Sequence, residues 1–241
     1  MRIAAVCSFL TLWLVAVAAC LAPAAVADQT TIASYDRARA LLWRKLYPAS
    51  PSPLAYSDLY CGYDFGNRDE LELQVEHVYP ANWMASHLGC GSRTNCRRTS
   101  DRFNRMEADL HNLWPAAAAA NGARSNHSFG IIAGETWLFE DCDIERAAST
   151  LPGLPTRMIV EPRPLVRGNI ARALFYMAAE YRLPLEPRLV PLLKEWHLND
   201  PVSREERRRN DLIENLQGTR NLFIDDPSAA TAFQPPHSQD P

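Results

Sequence analysis

A chain of 241 residues, 47% of them hydrophobic, is long enough to bury one substantial core. Its formal net charge of −3 excludes a protein that coats a polyanion through overall basicity, so any nucleic-acid contact has to come from a local patch. After the first residues no stretch approaches the roughly 18 apolar residues of a membrane helix, so no transmembrane span is expected.

The chain opens with Met1-Arg2-Ile3 and an apolar run over residues 4–19, followed by small residues and Ala25-Val26-Ala27. A charged start, a short apolar stretch and a small-x-small site predict a signal peptide over 1–27, with a mature chain from Asp28 and a periplasmic or secreted destination. A second reading takes Val17-Ala18-Ala19-Cys20 as a lipobox that would leave Cys20 lipidated. Ser34 followed by apolar positions 38, 41, 42 and 46 predicts a capped amphipathic helix ending before Pro48. Residues 59–63 read as a short strand or turn. Residues 71–79 alternate apolar and polar up to Pro80, which predicts a strand with Glu72, Gln74 and Glu76 on one face.

Residues 81–106 read as loop-rich and basic: Arg93, Arg97, Arg98, Arg102 and Arg105 crowd together with only Asp101 opposing them, a cluster suited to phosphates or else a solvated, salt-bridged surface. Residues 109–115 predict a second strand stopped by Pro115, and the alanine run 116–120 a helix of uncertain end over 121–126. Short strands are expected over 131–144, an irregular connection from Pro152 to Pro164, and helices over 167–182, 190–196 and 204–216. From residue 228 the composition predicts a disordered tail, leaving one domain over 28–227. The fold class expected is α+β, mainly helical with a small antiparallel sheet.

Loss of the leader removes Cys7 and Cys20 and leaves Cys61, Cys90, Cys96 and Cys142, an even set for a compartment where disulfides persist. Three pairings are possible; the short loop between Cys90 and Cys96 favours that pair, leaving Cys61 with Cys142. A zinc site is the rival reading, but no CxxC or suitably spaced His supports it.

Phosphodiester hydrolysis needs a base, a cation and a phosphate clamp. His77 suits the first role, Glu76 with an amide oxygen such as that of Asn121 suits a hard cation, and Arg93 can grip phosphate bidentately. Taken singly, each has a blander reading: a lone His on a strand, or Asn112, Asn121 and Asn126 as caps of turns. Order and company favour chemistry, with a Glu-His strand, a basic loop, His111-Asn112, then an Asn-bearing segment.

Val75-Glu76-His77-Val78-Tyr79-Pro80, Cys90-Gly91-Ser92-Arg93-Thr94-Asn95-Cys96, residues 106–115 and Asn121-Gly122-Ala123-Arg124-Ser125-Asn126 together resemble the endonuclease I family of periplasmic and secreted nucleases, which carry the His-Me finger, or ββα-metal, motif. The similarity extends through 167–177 and 218–227. It implies an exported endonuclease that cuts DNA, and RNA, with little sequence specificity and leaves 5′-phosphates. It further implies His77 as general base, Glu76 as ligand of a single Mg²⁺ (Ca²⁺ or Mn²⁺ as substitutes), Arg93 as phosphate clamp, and a monomer. The family's pattern of Asn-x-x-Pro, five residues and Asn fits Asn112, Pro115 and Asn121, so the resemblance implies Asn121 as second ligand, with Asn126 as fallback. Arg97, Arg98, Arg102 and Arg124 are the expected nucleic-acid contacts. The chain departs from the pattern in having fewer cysteines, Tyr63 where a Cys is usual, and Ala123 in place of an acidic residue. A noncatalytic nucleic-acid-binding protein and a phosphoesterase acting on other esters are the alternatives on the same scaffold.

Overall fold

The computed structural model describes residues 28–48, 56–65, 71–149 and 156–236, so the expected signal peptide and the Cys20 reading lie outside the described residues. Ser34 accepts from the Arg37 N–H and starts α1 (Tyr35–Leu41), which loosens into a π-helical turn over Leu42–Leu46 ahead of Pro48. The strand expected over 71–79 is β1 (Leu73–His77). Three short helices follow where loop was expected: α2 (Ala81–Leu88), α3 (Arg93–Thr99) and α4 (Asp101–Glu107). Ser92 and Ser100 cap the last two by accepting from Asn95 and Phe103 N–H groups, a local signal that the arginine-rich composition masks.

The second strand begins later than expected. The Asp109 carboxylate accepts from the His111 N–H and winds Leu110–Asn112 into a 3₁₀ turn, after which β2 (Leu113–Ala117) pairs antiparallel with β1. Pro115 sits inside β2 rather than ending it. It lies opposite Val75, and its carbonyl points away from β1 to accept from Leu59; its missing N–H lies on that same outer side and costs no bond to β1. Of the alanine run, Ala116 and Ala117 belong to β2 and the rest opens α5 (Ala118–Arg124).

A second sheet has the order β3 (Ser128–Phe129), β5 (Arg157–Pro162), β4 (Ile144–Ser149). The strands expected over 131–144 reduce to an isolated bridge between Phe139 and Cys142, and the proline-marked connection contains β5, whose Pro162 falls at the strand's end opposite Ile144. The molecule is α+β, as expected.

Helix α6 (Arg167–Tyr181) is the central element, buried on nearly every side, with Ile170, Leu174 and Met177 fully covered. At its start a Cβ on Gly168 would come within 2.0 Å of the Asp200 carbonyl oxygen, so only glycine fits. Helix α7 (Leu189–Asn199) packs along it, and α8 (Arg204–Gln217), which opens with a capping box between Ser203 and Glu206, reaches it through the buried Arg172–Glu206 ion pair. After α9 (Leu222–Asp225), the tail expected to be disordered from 228 instead begins with α10 (Ser228–Ala232), and Phe233 packs its ring against Phe175 and Phe223. Its apolar anchor is this one aromatic, too little for composition to register.

Candidate active site

β1 carries Glu76 and His77 to the mouth of a cleft of about 560 Å³, which Arg93, Asn121, Arg124 and Asn126 also line. The strand is held there from both directions. Val78 N–H donates to the Asn112 carbonyl, and the Asn112 side chain both accepts from Tyr79 N–H at 2.6 Å and donates to Tyr79 O at 3.0 Å. Asn112 is therefore a buried staple and takes no part in the cleft.

The His77 Nε2 lies 2.9 Å from the backbone carbonyl of Glu107. A carbonyl only accepts, so Nε2 carries the proton and Nδ1 is left with its lone pair. Burial, assisted by the nearby Arg93 charge, holds the imidazole down to about 4, so the ring is neutral at pH 7. Tyr35, from α1, packs its ring 5.3 Å from the imidazole. Glu76 is buried, accepts from the Tyr60 hydroxyl at 2.7 Å and faces Arg124 Nη1 at 3.3 Å. Burial raises its pKa; Arg124 and the tyrosine hydrogen bond work against that rise.

Arg93 begins α3 inside the Cys90–Cys96 loop, which is closed by that disulfide and by the Asn95 side chain donating to the Cys90 carbonyl. Its guanidinium pairs with the carboxylate of Glu107 and stays 43% exposed at the cleft, free on its other edge to meet an anion. Asn121 spends its side-chain N–H on Gln74 at 3.0 Å, which leaves its carbonyl oxygen for a cation. Asn126 is exposed, and its backbone carbonyl accepts from the Trp83 indole. One carboxylate and one amide oxygen, without sulfur, form a donor set that fits a hard cation keeping several of its waters. Among the described residues no group of three or more His, Cys, Asp or Glu side chains forms a site for a more demanding metal.

The expected nucleic-acid arginines divide. Arg97 pairs with the second oxygen of Glu107 at 2.7 Å and is 41% exposed, and the exposed Arg98 leans on Asn95; both reach solvent beside the cleft. Arg102 is turned away, donating to the Tyr181 carbonyl and facing Asp28. Arg124 corrects the expectation outright. Although it borders the cleft, it is fully buried and spends its guanidinium on Val78 O at 2.6 Å, Ser125 O at 3.1 Å and the Glu76 carboxylate rather than on solvent. A charged residue reads as surface from sequence; here strand-end carbonyls and a carboxylate make its interior position tolerable.

Three contributors have no sequence signal: Tyr60, which holds Glu76; Tyr35, which backs His77 and lies under the Arg93 and Arg97 guanidiniums at 5.1 and 5.2 Å; and Glu107. Glu107 lies just past the arginine cluster and is buried, and that placement is visible only in three dimensions. The disulfides are Cys90–Cys96 and Cys61–Cys142, as favoured, which removes the zinc reading.

A family model described as Endonuclease I matches residues 27–228. The chain belongs to the endonuclease I family. Membership makes it a nuclease. An extracellular deoxyribonuclease of Aeromonas hydrophila is 38% identical over 170 residues, covering 68% of this chain and 71% of that protein. A periplasmic deoxyribonuclease of the same organism is 36% identical over 171 residues, covering 68% and 69%. An extracellular ribonuclease of Bacillus amyloliquefaciens is 34% identical over 178 residues; the match covers 64% of this chain and 51% of that protein's length.

Proposed function

We propose that this nuclease is an exported, Mg²⁺-dependent endonuclease that hydrolyses DNA, and RNA too, with little sequence readout. The observation that carries the reading is the neutral His77, its proton fixed on Nε2 by the Glu107 carbonyl and its Nδ1 free, in one cleft with Glu76, Asn121 and the half-exposed Arg93. In this reading β1, β2 and α5 make up the ββα-metal unit. Nδ1 of His77 takes a proton from water as the water oxygen bonds to phosphorus; the bond from phosphorus to the 3′ oxygen breaks, and that oxygen acquires a proton from solvent. The products are a 5′-phosphate and a 3′-hydroxyl. Glu76 and the Asn121 carbonyl would hold the cation, with Ca²⁺ or Mn²⁺ as substitutes and Asn126 as the fallback ligand; when bound, the ion supplies charge stabilisation at the phosphate and the leaving oxygen. Arg93 grips a phosphate oxygen, and Arg97 and Arg98 extend the contact along the backbone without reading bases.

Relatives named as extracellular or periplasmic support export through a signal peptide over 1–27, as do two disulfides, which persist in oxidising compartments. The relative named as a ribonuclease supports RNA as a second substrate. Among the described residues no helix is long and apolar enough to cross a membrane. The reading takes the enzyme as a monomer. The test is incubation of the disulfide-intact protein with plasmid DNA and RNA, in Mg²⁺ or EDTA, beside His77→Ala. Wild type is expected to cut in Mg²⁺ only, and the variant to lose at least about a hundredfold; an intact plasmid sinks the function, and a fully active variant sinks the base assignment.

A further inference from the structure

A groove of about 1190 Å³ adjoins the cleft, and Asn126 lines both. The partition between them is slight: the Trp83 indole, which donates to Asn126 O, forms part of the groove wall. The groove's surface differs in chemistry from the cleft. Its floor is apolar, with the half-buried Trp83 ring and the exposed Met158 open to it over the buried Tyr79 and Leu185, while Arg157 and Lys194 supply cations against the single carboxylate of Glu186. His87 and His127 also face it, both held below the ordinary imidazole value, first by burial, and so neutral at pH 7.

Flat apolar side chains with cations nearby are what an unpaired strand requires, since bases stack on the former and phosphates meet the latter. A closed duplex keeps its bases inside and gains nothing from such a floor. The volume also exceeds the roughly 300–1,000 Å³ of a small-molecule site, leaving room for a chain of nucleotides. Continuity with the cleft and the excess of cations favour a polyanion entering from the site over an uncharged peptide.

Resting on the nuclease reading, we infer that this groove receives the unpaired nucleotides next to the scissile phosphate, so the enzyme grips single-stranded nucleic acid beyond the cleft. Arg157 and Met158 are exposed, lie on β5 and take no part in the cleft, which makes them clean probes. The full, disulfide-intact protein is assayed in Mg²⁺ on an oligothymidylate trimer and dodecamer, alongside Arg157→Glu and Met158→Asp. Each variant is expected to raise KM for the dodecamer roughly five- to tenfold, with kcat and trimer cleavage within about twofold of wild type. Fluorescence anisotropy of labelled dodecamer in EDTA reads the groove independently of cleavage: wild type binds it, and both variants bind about five- to tenfold more weakly. A protein that binds the dodecamer through these residues but never cuts upholds the groove and overturns the nuclease reading. One that cuts normally while both variants match wild type in KM and anisotropy overturns the groove and spares the nuclease. A fall in dodecamer KM on deleting residues 237–241, without any effect of Arg157→Glu, would assign the groove to the chain's own end and overturn the proposal.

Discussion

Glu107 grips His77 with its backbone and Arg93 with its side chain: the carbonyl fixes the imidazole proton while the carboxylate orients the guanidinium. One buried residue thus couples the proposed base to the proposed clamp. Glu107→Gln keeps the carbonyl and removes the charge, so His77 retains its tautomer while Arg93 and Arg97 lose their anchor. Because both arginines are about two-fifths exposed, water can solvate them, and the expected loss of stability is modest, about 1–2 kcal/mol. The cost in kcat/KM is expected at about tenfold, the scale of one charge-assisted hydrogen bond. Steady-state kinetics with a thermal melt check it, and unchanged kcat/KM would refute the coupling.

Arg124 and Arg98 make opposite predictions although both are arginines beside the site. Arg124→Leu strands the buried Glu76 carboxylate and leaves the Val78 carbonyl without its donor, at an expected cost of about 3–5 kcal/mol. Chemical denaturation should show it as a folding defect. Arg98→Ala should melt like wild type and lower the slope of log affinity against log salt by about 1. A stable Arg124→Leu would contradict the structural role given to that side chain.

The two disulfides differ in the length of chain they close, 81 against 6 residues of separation. Loop-closure entropy then predicts that Cys61→Ser with Cys142→Ser costs about 4.5 kcal/mol and Cys90→Ser with Cys96→Ser about 2.4 kcal/mol. The smaller loop carries Arg93, so its loss should depress activity beyond what its stability change explains. Urea titration of each pair, with activity measured well below the midpoint, separates the two effects.

Glu180 supplies a pH dependence away from the site. Burial first, then the neighbouring Asp109 and Asp28, raise its carboxyl from the ordinary 4.5 to about 8. The folded state therefore holds a proton that the unfolded chain releases near 4.5; this contribution to stability is complete below that pH and is lost as pH rises through about 8. Glu180→Gln, permanently neutral, should match wild type at pH 4 and exceed it by several kcal/mol, up to about 5, at pH 9. Equal melts at pH 9 would refute it.

Much of this was legible where a single local rule decides. Alternation located β1, Ser34 marked the start of α1, and 3.6-residue spacing found α6, α7 and α8. Glu76, His77, Arg93, Asn121 and Asn126 do converge on one cleft. Long-range context hid the rest. Asp109 reads as part of a strand until its carboxylate is seen turning the backbone, and Pro115 reads as a stop unless its missing N–H is known to face away from β1. Arg124 and Tyr60 are charged or polar residues whose burial depends on partners at least 16 positions away, beyond any window of periodicity, and Glu107 is buried by arginines that composition reads as its exposed neighbours.

Tyr35 near the start of the described chain rests on His77, and Gln234, Pro235 and Pro236 near its end line the groove beside Asn126. The far end of the fold thus opens onto the working face, while its start at Asp28 sits against Arg102, turned away from the cleft. An affinity tag or fusion partner attached after Pro236 is thereby tethered within reach of incoming substrate, and the side of Asp28 is the more neutral place for a handle. The same placement lets proteolytic trimming back to Phe233 alter turnover while leaving the core of the enzyme untouched.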